Sequence, residues 1–293
     1  MNRIVYFFSI FLIFINPKAV MTKNNSLYYS IHGKGIPVIT IHGGPGMSSA
    51  YFKPYLNKLS ENNKLVYYDQ SGCGLSIKPY NYKATFKGYI NDIENLREKI
   101  NAEKIVLLAH SFGVVIALKY YLRYPSRIKK LILVSGFGRK HPEQYKYFMV
   151  PENIMSKIRG IINSRKPDKY KREQINIYRT IVYFHKKSFR NYKFVSRFLS
   201  TTTFNKKVFS NLVYSNEYRK FDARFKIKSL NNSVPVLIIV GKHDIVTPPF
   251  LSEEIAACFK NPKYSLFENS GHFPFVEENH KFLSVVNNFL KKD

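Results

Sequence analysis

A serine, an aspartate and a histidine stand in that order along the chain, each shortly after an apolar run. Ser111 lies in the segment Ala-His-Ser-Phe-Gly at residues 109–113, between an apolar run and an apolar helical pattern. Asp244 and His272 follow later runs of strand length. A histidine oriented by a carboxylate can take the proton of a serine, which then attacks a carbonyl carbon. The order therefore predicts a catalytic triad of Ser111, Asp244 and His272.

The turn around Ser111 requires small neighbours, because a strand that turns sharply into a helix brings backbone atoms close together. Gly113 meets this need, and Ala109 stands where the usual nucleophile motif has glycine. The alternative is a serine that only caps the following helix. Three other histidines near these positions are expected to pack or to form hydrogen bonds rather than to transfer protons: His42, His110 and His243.

A glycine-rich segment, His-Gly-Gly-Pro-Gly at residues 42–46, follows the apolar run at residues 37–41. Acyl transfer develops negative charge on the carbonyl oxygen, and backbone N–H groups can stabilise that charge. Glycine lets the backbone approach a substrate closely. We therefore predict an oxyanion hole formed by the amides of Gly44 and Phe112, the residue after the nucleophile. A tight turn without function is the alternative.

Strand and helix patterns alternate along most of the chain. Apolar runs predict strands at residues 27–31, 37–41, 64–69, 104–109, 131–135, 234–240 and 264–267. Helices are predicted at residues 86–100, 112–123, 249–259 and 280–290. This alternation is typical of an α/β protein with a mostly parallel sheet that is covered by helices on both faces. Together with the order Ser, Asp, His, it predicts the α/β-hydrolase fold.

The region at residues 138–222 departs from this alternation. It has few strand signals, and it carries 20 Lys and Arg against 5 Asp and Glu between Arg139 and Lys220. We interpret it as a helical cap inserted over the carboxyl ends of the strands, where open α/β sheets bind ligands. The predicted hydrolase core then comprises residues 22–137 and 223–293.

Residues 1–21 form the remaining predicted segment. Their apolar run at residues 4–15 is interrupted only by Ser9 and follows Arg3. Twelve residues are too few to cross a bilayer comfortably but suit the apolar part of a signal peptide. We therefore predict a signal peptide or membrane anchor, and an exported protein that is periplasmic or membrane-associated. The alternative is translation from Met21, which would give a cytoplasmic product.

The composition narrows the classes of partner. The formal net charge is +28, yet the basic residues are spread along the chain, and no zinc-finger, RRM or KH pattern is found. Two cysteines, Cys73 and Cys258, show no metal-site spacing. We expect no nucleic-acid partner, no metal and no cofactor. The expected partner is a short peptide or a small acyl substrate.

Three motifs carry a resemblance to a known family: residues 42–46, the segment Tyr-Asp-Gln-Ser-Gly-Cys-Gly-Leu-Ser at 68–76, and the segment around Ser111. The chain resembles the prolyl aminopeptidase (proline iminopeptidase) family and its relative, the tricorn-interacting aminopeptidase, over residues 26–135 and 230–293. The resemblance implies an α/β-hydrolase with a helical cap that releases N-terminal residues, often proline, from peptides. Ser71 departs from it, since many members have Arg there.

An aminopeptidase must also hold the α-ammonium group of its substrate, which calls for carboxylates near the site. The family uses glutamates of its cap, and the resemblance implies Glu217 as one of them. Ile245 stands where some relatives have a second acid. The alternative for Glu217 is a solvated surface residue. Three functions stay open: an aminopeptidase acting on N-terminal proline or small apolar residues, a carboxylesterase or acyl hydrolase, and a non-catalytic binding protein.

Overall fold

The computed structural model describes residues 27–79, 81–140, 150–230 and 234–291 of the chain. Within these residues seven strands form one sheet: β1 (Tyr29–His32), β2 (Ile36–Ile41), β3 (Asn63–Tyr68), β4 (Ile105–His110), β5 (Ile128–Val134), β6 (Val236–Gly241) and β7 (Lys263–Phe267). Their order across the sheet is β1-β3-β2-β4-β5-β6-β7. β1 runs antiparallel to β3, and the other neighbouring pairs are parallel. The prediction of a mostly parallel sheet is confirmed.

Helices cover both faces of this sheet, so that every residue of β4 and of β6 is buried. Successive side chains of a strand point to opposite faces. In β4, Ile105 and Leu107 belong to one apolar cluster, whereas Val106 and Leu108 belong to another. The core therefore consists of two layers, one on each face. This explains why the central strands are continuous apolar runs rather than alternating patterns.

The described residues form twelve α-helices: α1 (Lys53–Leu56), α2 (Phe86–Lys99), α3 (Phe112–Arg123), α4 (Glu152–Ile162), α5 (Asp168–Ile181), α6 (Tyr192–Ser200), α7 (Lys206–Val213), α8 (Asn216–Arg219), α9 (Arg224–Ser229), α10 (Pro249–Ala256), α11 (Pro274–Glu277) and α12 (Asn279–Lys291). α2 and α3 pack in the first apolar cluster, and α12 packs in the second. α2, α3 and α12 agree to within one residue at each end with the helices predicted at residues 86–100, 112–123 and 280–290.

Six helices, α4 to α9, fill the described part of the chain between β5 and β6. They occupy the basic region in which we predicted a helical cap, and α9 lies beyond its predicted end at residue 222. Residues 141–149 of that region lie outside the described residues, as does the predicted leader at residues 1–21. The domain boundaries therefore stay a prediction. In the part of the chain that the structure describes, no helix is both long and apolar enough to span a bilayer.

β5 begins at Ile128, three residues before the strand predicted at residues 131–135. The prediction began late because Lys129 and Lys130 interrupt the apolar pattern. Lys130 is nevertheless buried. Its ammonium group donates hydrogen bonds to the carbonyls of Phe289 and Leu290, at 3.1 and 3.0 Å. Carbonyls at the end of a helix lack partners within the helix, and a positive charge there complements the helix dipole. A partner on distant α12 thus allows a charged residue inside a buried strand.

Parallel strands bring the loops that follow them to one edge of the sheet. The glycine-rich segment follows β2, and Ser111 follows β4. Asp244 follows β6, and His272 follows β7. The carboxyl ends of the strands are the edge at which open α/β sheets bind ligands. The topology therefore gathers segments that are up to 230 residues apart in sequence into one candidate site.

Candidate active site

The backbone at Ser111 makes the sharp turn expected of a nucleophile. Its φ of 55° and ψ of −123° lie where non-glycine residues are rare, so the turn is strained. The amide of Ser111 donates to the carbonyl of Val134 on β5 at 2.9 Å, which fixes the turn to the sheet. A Cβ atom on Gly113 would lie 2.4 Å from the carbonyl oxygen of Ile41, so this position requires glycine. Ala109 is fully buried in β4 and fits without glycine.

The hydroxyl of Ser111 does not cap the helix that follows it. Ser111 occupies the N-cap position of α3, but its side chain makes no capping hydrogen bond. Its Oγ atom lies 3.0 Å from Nε2 of His272. That distance suits transfer of the serine proton to the imidazole. The geometry therefore favours the catalytic interpretation of Ser111 over helix capping.

Asp244 holds the other side of the His272 ring. Its Oδ2 atom lies 2.8 Å from Nδ1 of His272, and the Asp244 side chain has no exposed area. Its Oδ1 atom accepts hydrogen bonds from the amides of Val246 and Thr247, at 2.8 and 2.9 Å. Because a carboxylate only accepts, Nδ1 of His272 carries the proton and Nε2 faces the serine as an acceptor. This is the tautomer that a general base requires.

Thr247 is a site residue that the sequence analysis missed. Its hydroxyl lies 2.8 Å from Oδ2 of Asp244 and 2.8 Å from the carbonyl oxygen of Ser135, and it carries one proton for these two acceptors. It also lies 3.3 Å from Nδ1 of His272. The available signal was a hydroxyl three residues after the predicted carboxylate.

The backbone around His272 is held from two directions. Its amide donates to the carbonyl of Tyr183, in the segment that follows α5, at 2.7 Å. Its carbonyl accepts from Nε2 of His110 at 2.9 Å. The amide of the preceding Gly271 donates to the buried carboxylate of Glu277 at 2.7 Å. Burial raises the pKa of Glu277, while three backbone amides that donate to it act in the opposite direction. The position of the His272 ring therefore depends on both the core and the helical region.

The glycine-rich segment after β2 contains Gly44, the residue predicted to contribute to the oxyanion hole. The amide of Gly43 donates to the Tyr51 hydroxyl at 2.8 Å, so it is already occupied. Gly44 has a φ of 127°, and a Cβ atom there would lie 2.9 Å from the amide nitrogens of Gly46 and Met47. Phe112 is the first residue of α3, whose first N–H groups have no partner within the helix. Both predicted donors lie in segments that follow strands, Gly44 after β2 and Phe112 after β4. Their role as an oxyanion hole stays a prediction.

Comparison with known proteins adds the family. The sequence profile of the family described as "alpha/beta hydrolase fold" matches residues 36–279. The chain belongs to the α/β-hydrolase family. A proline iminopeptidase from Saccharolobus solfataricus is 28% identical over 282 residues, which span 89% of this chain and 87% of the relative. A proline iminopeptidase from Clostridium botulinum is 28% identical over 287 residues, which span 91% of this chain and 94% of the relative.

A solved structure with the same fold is the meta-cleavage product hydrolase from Pseudomonas fluorescens IP01. It superposes with a TM-score of 0.70 at 22% identity and covers 90% of this chain and 93% of its own. At this identity the likeness concerns the fold. The predicted fold is confirmed, as is the resemblance to prolyl aminopeptidases. This α/β-hydrolase is accordingly a hydrolytic enzyme.

The segment at residues 68–76 of this α/β-hydrolase forms hydrogen bonds with the glycine-rich segment at residues 42–46. The amide of Gln70 donates to Nε2 of His42 at 3.1 Å, and its side-chain amide donates to the His42 carbonyl at 2.8 Å. Nδ1 of His42 therefore carries the proton, and it donates to the carbonyl of Gly43 at 2.9 Å. Burial lowers the pKa of His42, which favours this neutral form. The motif that carries the family resemblance thus stabilises the conformation of the glycine-rich segment at residues 42–46.

Glu217 is the predicted site residue that the structure places with another partner. Its carboxylate lies 2.7 Å from the ammonium group of Lys119, and 52% of its side chain is exposed. Lys119 lies eight residues after Ser111 on α3, which is about 12 Å along the helix axis. The neighbouring Tyr218, also on α8, packs near the turn at Ser111, with its ring centroid 5.7 Å from that of Phe112. The role of Glu217 in binding an ammonium group stays a prediction, and Lys119 now competes with it.

Among the described residues, no group of three or more His, Cys, Asp or Glu side chains is arranged to hold a metal ion. The two cysteines are buried and not bonded to each other. Burial raises the pKa of Cys73 to about 12, so its thiol is not a nucleophile at neutral pH. Ser111 is therefore the residue of this site whose surroundings fit nucleophilic attack.

Proposed function

We propose that this α/β-hydrolase is a serine aminopeptidase that releases N-terminal proline or small apolar residues from short peptides. The observation that carries the chemistry is the line of hydrogen bonds from Ser111 through His272 to Asp244, at 3.0 and 2.8 Å. The substrate class is supported by the similarity to proline iminopeptidases along about nine-tenths of the chain. Fold alone would not support it, since one fold serves many reactions.

The proposed reaction proceeds through an acyl-enzyme. Nε2 of His272 takes the proton of Ser111 while the serine oxygen attacks the carbonyl carbon of the first residue of the peptide. The amides of Gly44 and Phe112 stabilise the oxyanion. His272 then gives the proton to the leaving amine, and water activated by the same ring hydrolyses the ester. Asp244 keeps the ring in the required tautomer and stabilises the imidazolium form.

A carboxylesterase or acyl hydrolase of the same fold is the second candidate. It is favoured by the ion pair between Glu217 and Lys119, since a paired carboxylate is less available to an α-ammonium group. An ester substrate carries no such group and needs no acid there. A non-catalytic binding protein is the third candidate. A buried, fully hydrogen-bonded Asp244 beside His272 counts against it, because such an arrangement has no evident use in binding alone.

A substrate panel distinguishes these candidates. Prolyl-, alanyl- and leucyl-arylamides should be hydrolysed by the wild type if it is an aminopeptidase, with prolyl or small apolar residues preferred. Short acyl esters serve as the comparison, and the Ser111→Ala variant serves as the control for contaminating activity. Hydrolysis of esters without hydrolysis of any aminoacyl-arylamide would contradict the first proposal and favour the second.

We also propose that residues 1–21 export the enzyme or anchor it to a membrane. Tyr28, which directly precedes β1, lies beside the catalytic edge of the sheet. Its carbonyl accepts from the amide of Asp69 at 3.1 Å, and its amide donates to the hydroxyl of Ser76 at 2.8 Å. Leu75 and Ile77 on either side of Ser76 are 63% and 76% exposed. An anchored enzyme would therefore hold its catalytic edge and these apolar side chains towards the membrane.

A further inference from the structure

A chain of three buried hydrogen bonds joins the glycine-rich segment at residues 42–46, called here the oxyanion loop, to the loop that carries His272. The amide of Gly43 donates to the Tyr51 hydroxyl at 2.8 Å. The oxygen of that hydroxyl lies 2.9 Å from Nδ1 of His110, and Nε2 of His110 lies 2.9 Å from the carbonyl oxygen of His272. Tyr51 and His110 are 1% and 2% exposed. The residue before the nucleophile is therefore connected to both of the other catalytic loops.

The direction of each hydrogen bond is fixed, because a backbone amide only donates and a carbonyl only accepts. Nε2 of His110 must carry the proton that reaches the His272 carbonyl. The Tyr51 hydroxyl accepts from Gly43, so it donates its own proton to Nδ1 of His110. Burial lowers the pKa of His110 well below its ordinary value, as does the nearby His272, and both effects favour this neutral ring. The chain of hydrogen bonds consequently has one arrangement of protons.

Aromatic packing holds the two side chains in place. The His110 ring centroid lies 5.3 Å from that of Phe273 and 5.1 Å from that of Phe275. The Tyr51 ring centroid lies 4.5 Å from that of Phe52. Rings that are packed at interior density have few other rotamers to adopt. The distance between the two catalytic loops is therefore set by rigid groups rather than by flexible side chains.

We propose that Tyr51 and His110 are positioning residues that hold the Gly44 amide and the His272 ring in register with Ser111. This inference rests on the proposed function, because it assigns the two residues to a serine hydrolase reaction. A displacement of a catalytic group by about 1 Å can lower a rate about 100-fold. The loss falls on kcat rather than on KM, because these loops act on the transition state and not on the distant parts of the substrate.

Tyr51→Phe is the first test, since it removes the hydroxyl and keeps the packed ring. We expect kcat to fall about 10- to 100-fold with KM changed less than about twofold. Tyr67→Phe is the matched control: Tyr67 is equally buried, belongs to the same apolar cluster and donates to Asn57 at 3.0 Å, away from the catalytic loops. The control should keep kcat within about twofold while losing a similar amount of thermal stability.

His110 supplies the second test through a conservative pair of variants. His110→Gln keeps a donor and an acceptor, whereas His110→Leu keeps neither. We expect the glutamine variant to retain more kcat than the leucine variant. The double variant Tyr51→Phe/His110→Leu should lose about as much kcat as His110→Leu alone, because either change interrupts the same chain of hydrogen bonds. Losses that multiply would contradict a shared chain.

The rate of labelling by a fluorophosphonate separates this proposal from the proposed function, because that probe needs an activated serine but no particular substrate. If the folded wild type is not labelled, the serine hydrolase function itself is wrong. If the wild type is labelled and Tyr51→Phe is labelled equally fast, the positioning role is wrong. The role is also overturned if kcat of Tyr51→Phe stays within twofold of the wild type, or if Tyr67→Phe loses as much. Labelling slowed about 10-fold or more in Tyr51→Phe alone supports it.

Discussion

Asp244→Asn should abolish most of the activity without unfolding the protein. Oδ1 of Asp244 accepts from the amides of Val246 and Thr247, and only the carbonyl oxygen of an asparagine can replace it there. The NH2 group of the new side chain must then face Nδ1 of His272. Since an NH2 group only donates, Nδ1 becomes the acceptor and the ring proton moves to Nε2. An N–H group at Nε2 cannot take the proton of Ser111.

The expected loss in kcat is about 10⁴-fold, as for the same change in a serine protease triad. This corresponds to about 5.4 kcal/mol of activation free energy at about 1.36 kcal/mol for each factor of ten. The fold should survive, because the Thr247 hydroxyl can turn from Asp244 to the Ser135 carbonyl, also 2.8 Å away. No buried donor is then left without a partner around the new amide.

The assay compares kcat on the best substrate of the panel, the rate of fluorophosphonate labelling, and the thermal unfolding midpoint. Asp222→Asn is a suitable control, since the Asp222 carboxylate is 45% exposed and pairs with Arg224 outside the triad. The control should keep wild-type kcat. A folded Asp244→Asn variant with kcat within about tenfold of the wild type would refute the tautomer argument.

Three further predictions concern the surroundings of the site. If Glu217 binds the α-ammonium group, Glu217→Gln should lower kcat/KM on a prolyl-arylamide about 30-fold or more and change it little on a short ester; a change below about threefold on both substrates would contradict that role and leave the half-exposed ion pair with Lys119 as its only contact. His110 is held neutral, so the unfolded chain binds one more proton below about pH 6.5, and the free energy of unfolding falls as the pH falls. Between pH 8 and pH 5.5 the wild type should lose more free energy of unfolding than His110→Gln in urea unfolding, and equal losses would contradict a buried neutral ring. Full-length protein should fractionate outside the cytoplasm or with membranes, and removal of residues 1–20 should leave a soluble, active enzyme; cytoplasmic recovery of a chain that begins at Met21 would contradict export.

The segments of the candidate site could be located from sequence because each is short and begins within five residues of the end of a strand. The topology of a parallel sheet then places Ser111, Asp244 and His272 at one edge without further information. The neighbouring His110 was expected to pack or to form hydrogen bonds, and it does both. Local sequence patterns therefore predict where the loops of the site lie and which residue types they contain.

Contacts between distant segments could not be predicted in the same way. Tyr51 and Glu277 have no local signal for their contacts with the oxyanion loop and the His272 loop, which depend on how helices and loops pack. The partner of Glu217 depends on how α8 lies beside α3, and helical spacing does not specify that arrangement. Lys130 shows the same limit in a strand, since its partners lie about 160 residues away on α12.

The central claim, that Ser111 is an activated nucleophile, is tested most directly by mass spectrometry of the fluorophosphonate adduct. The wild type should gain one adduct for each chain, and the modified peptide should contain Ser111. Ser111→Ala should gain none under the same conditions while keeping its thermal unfolding midpoint. A folded wild type without an adduct, or an adduct that persists in Ser111→Ala, would contradict the account.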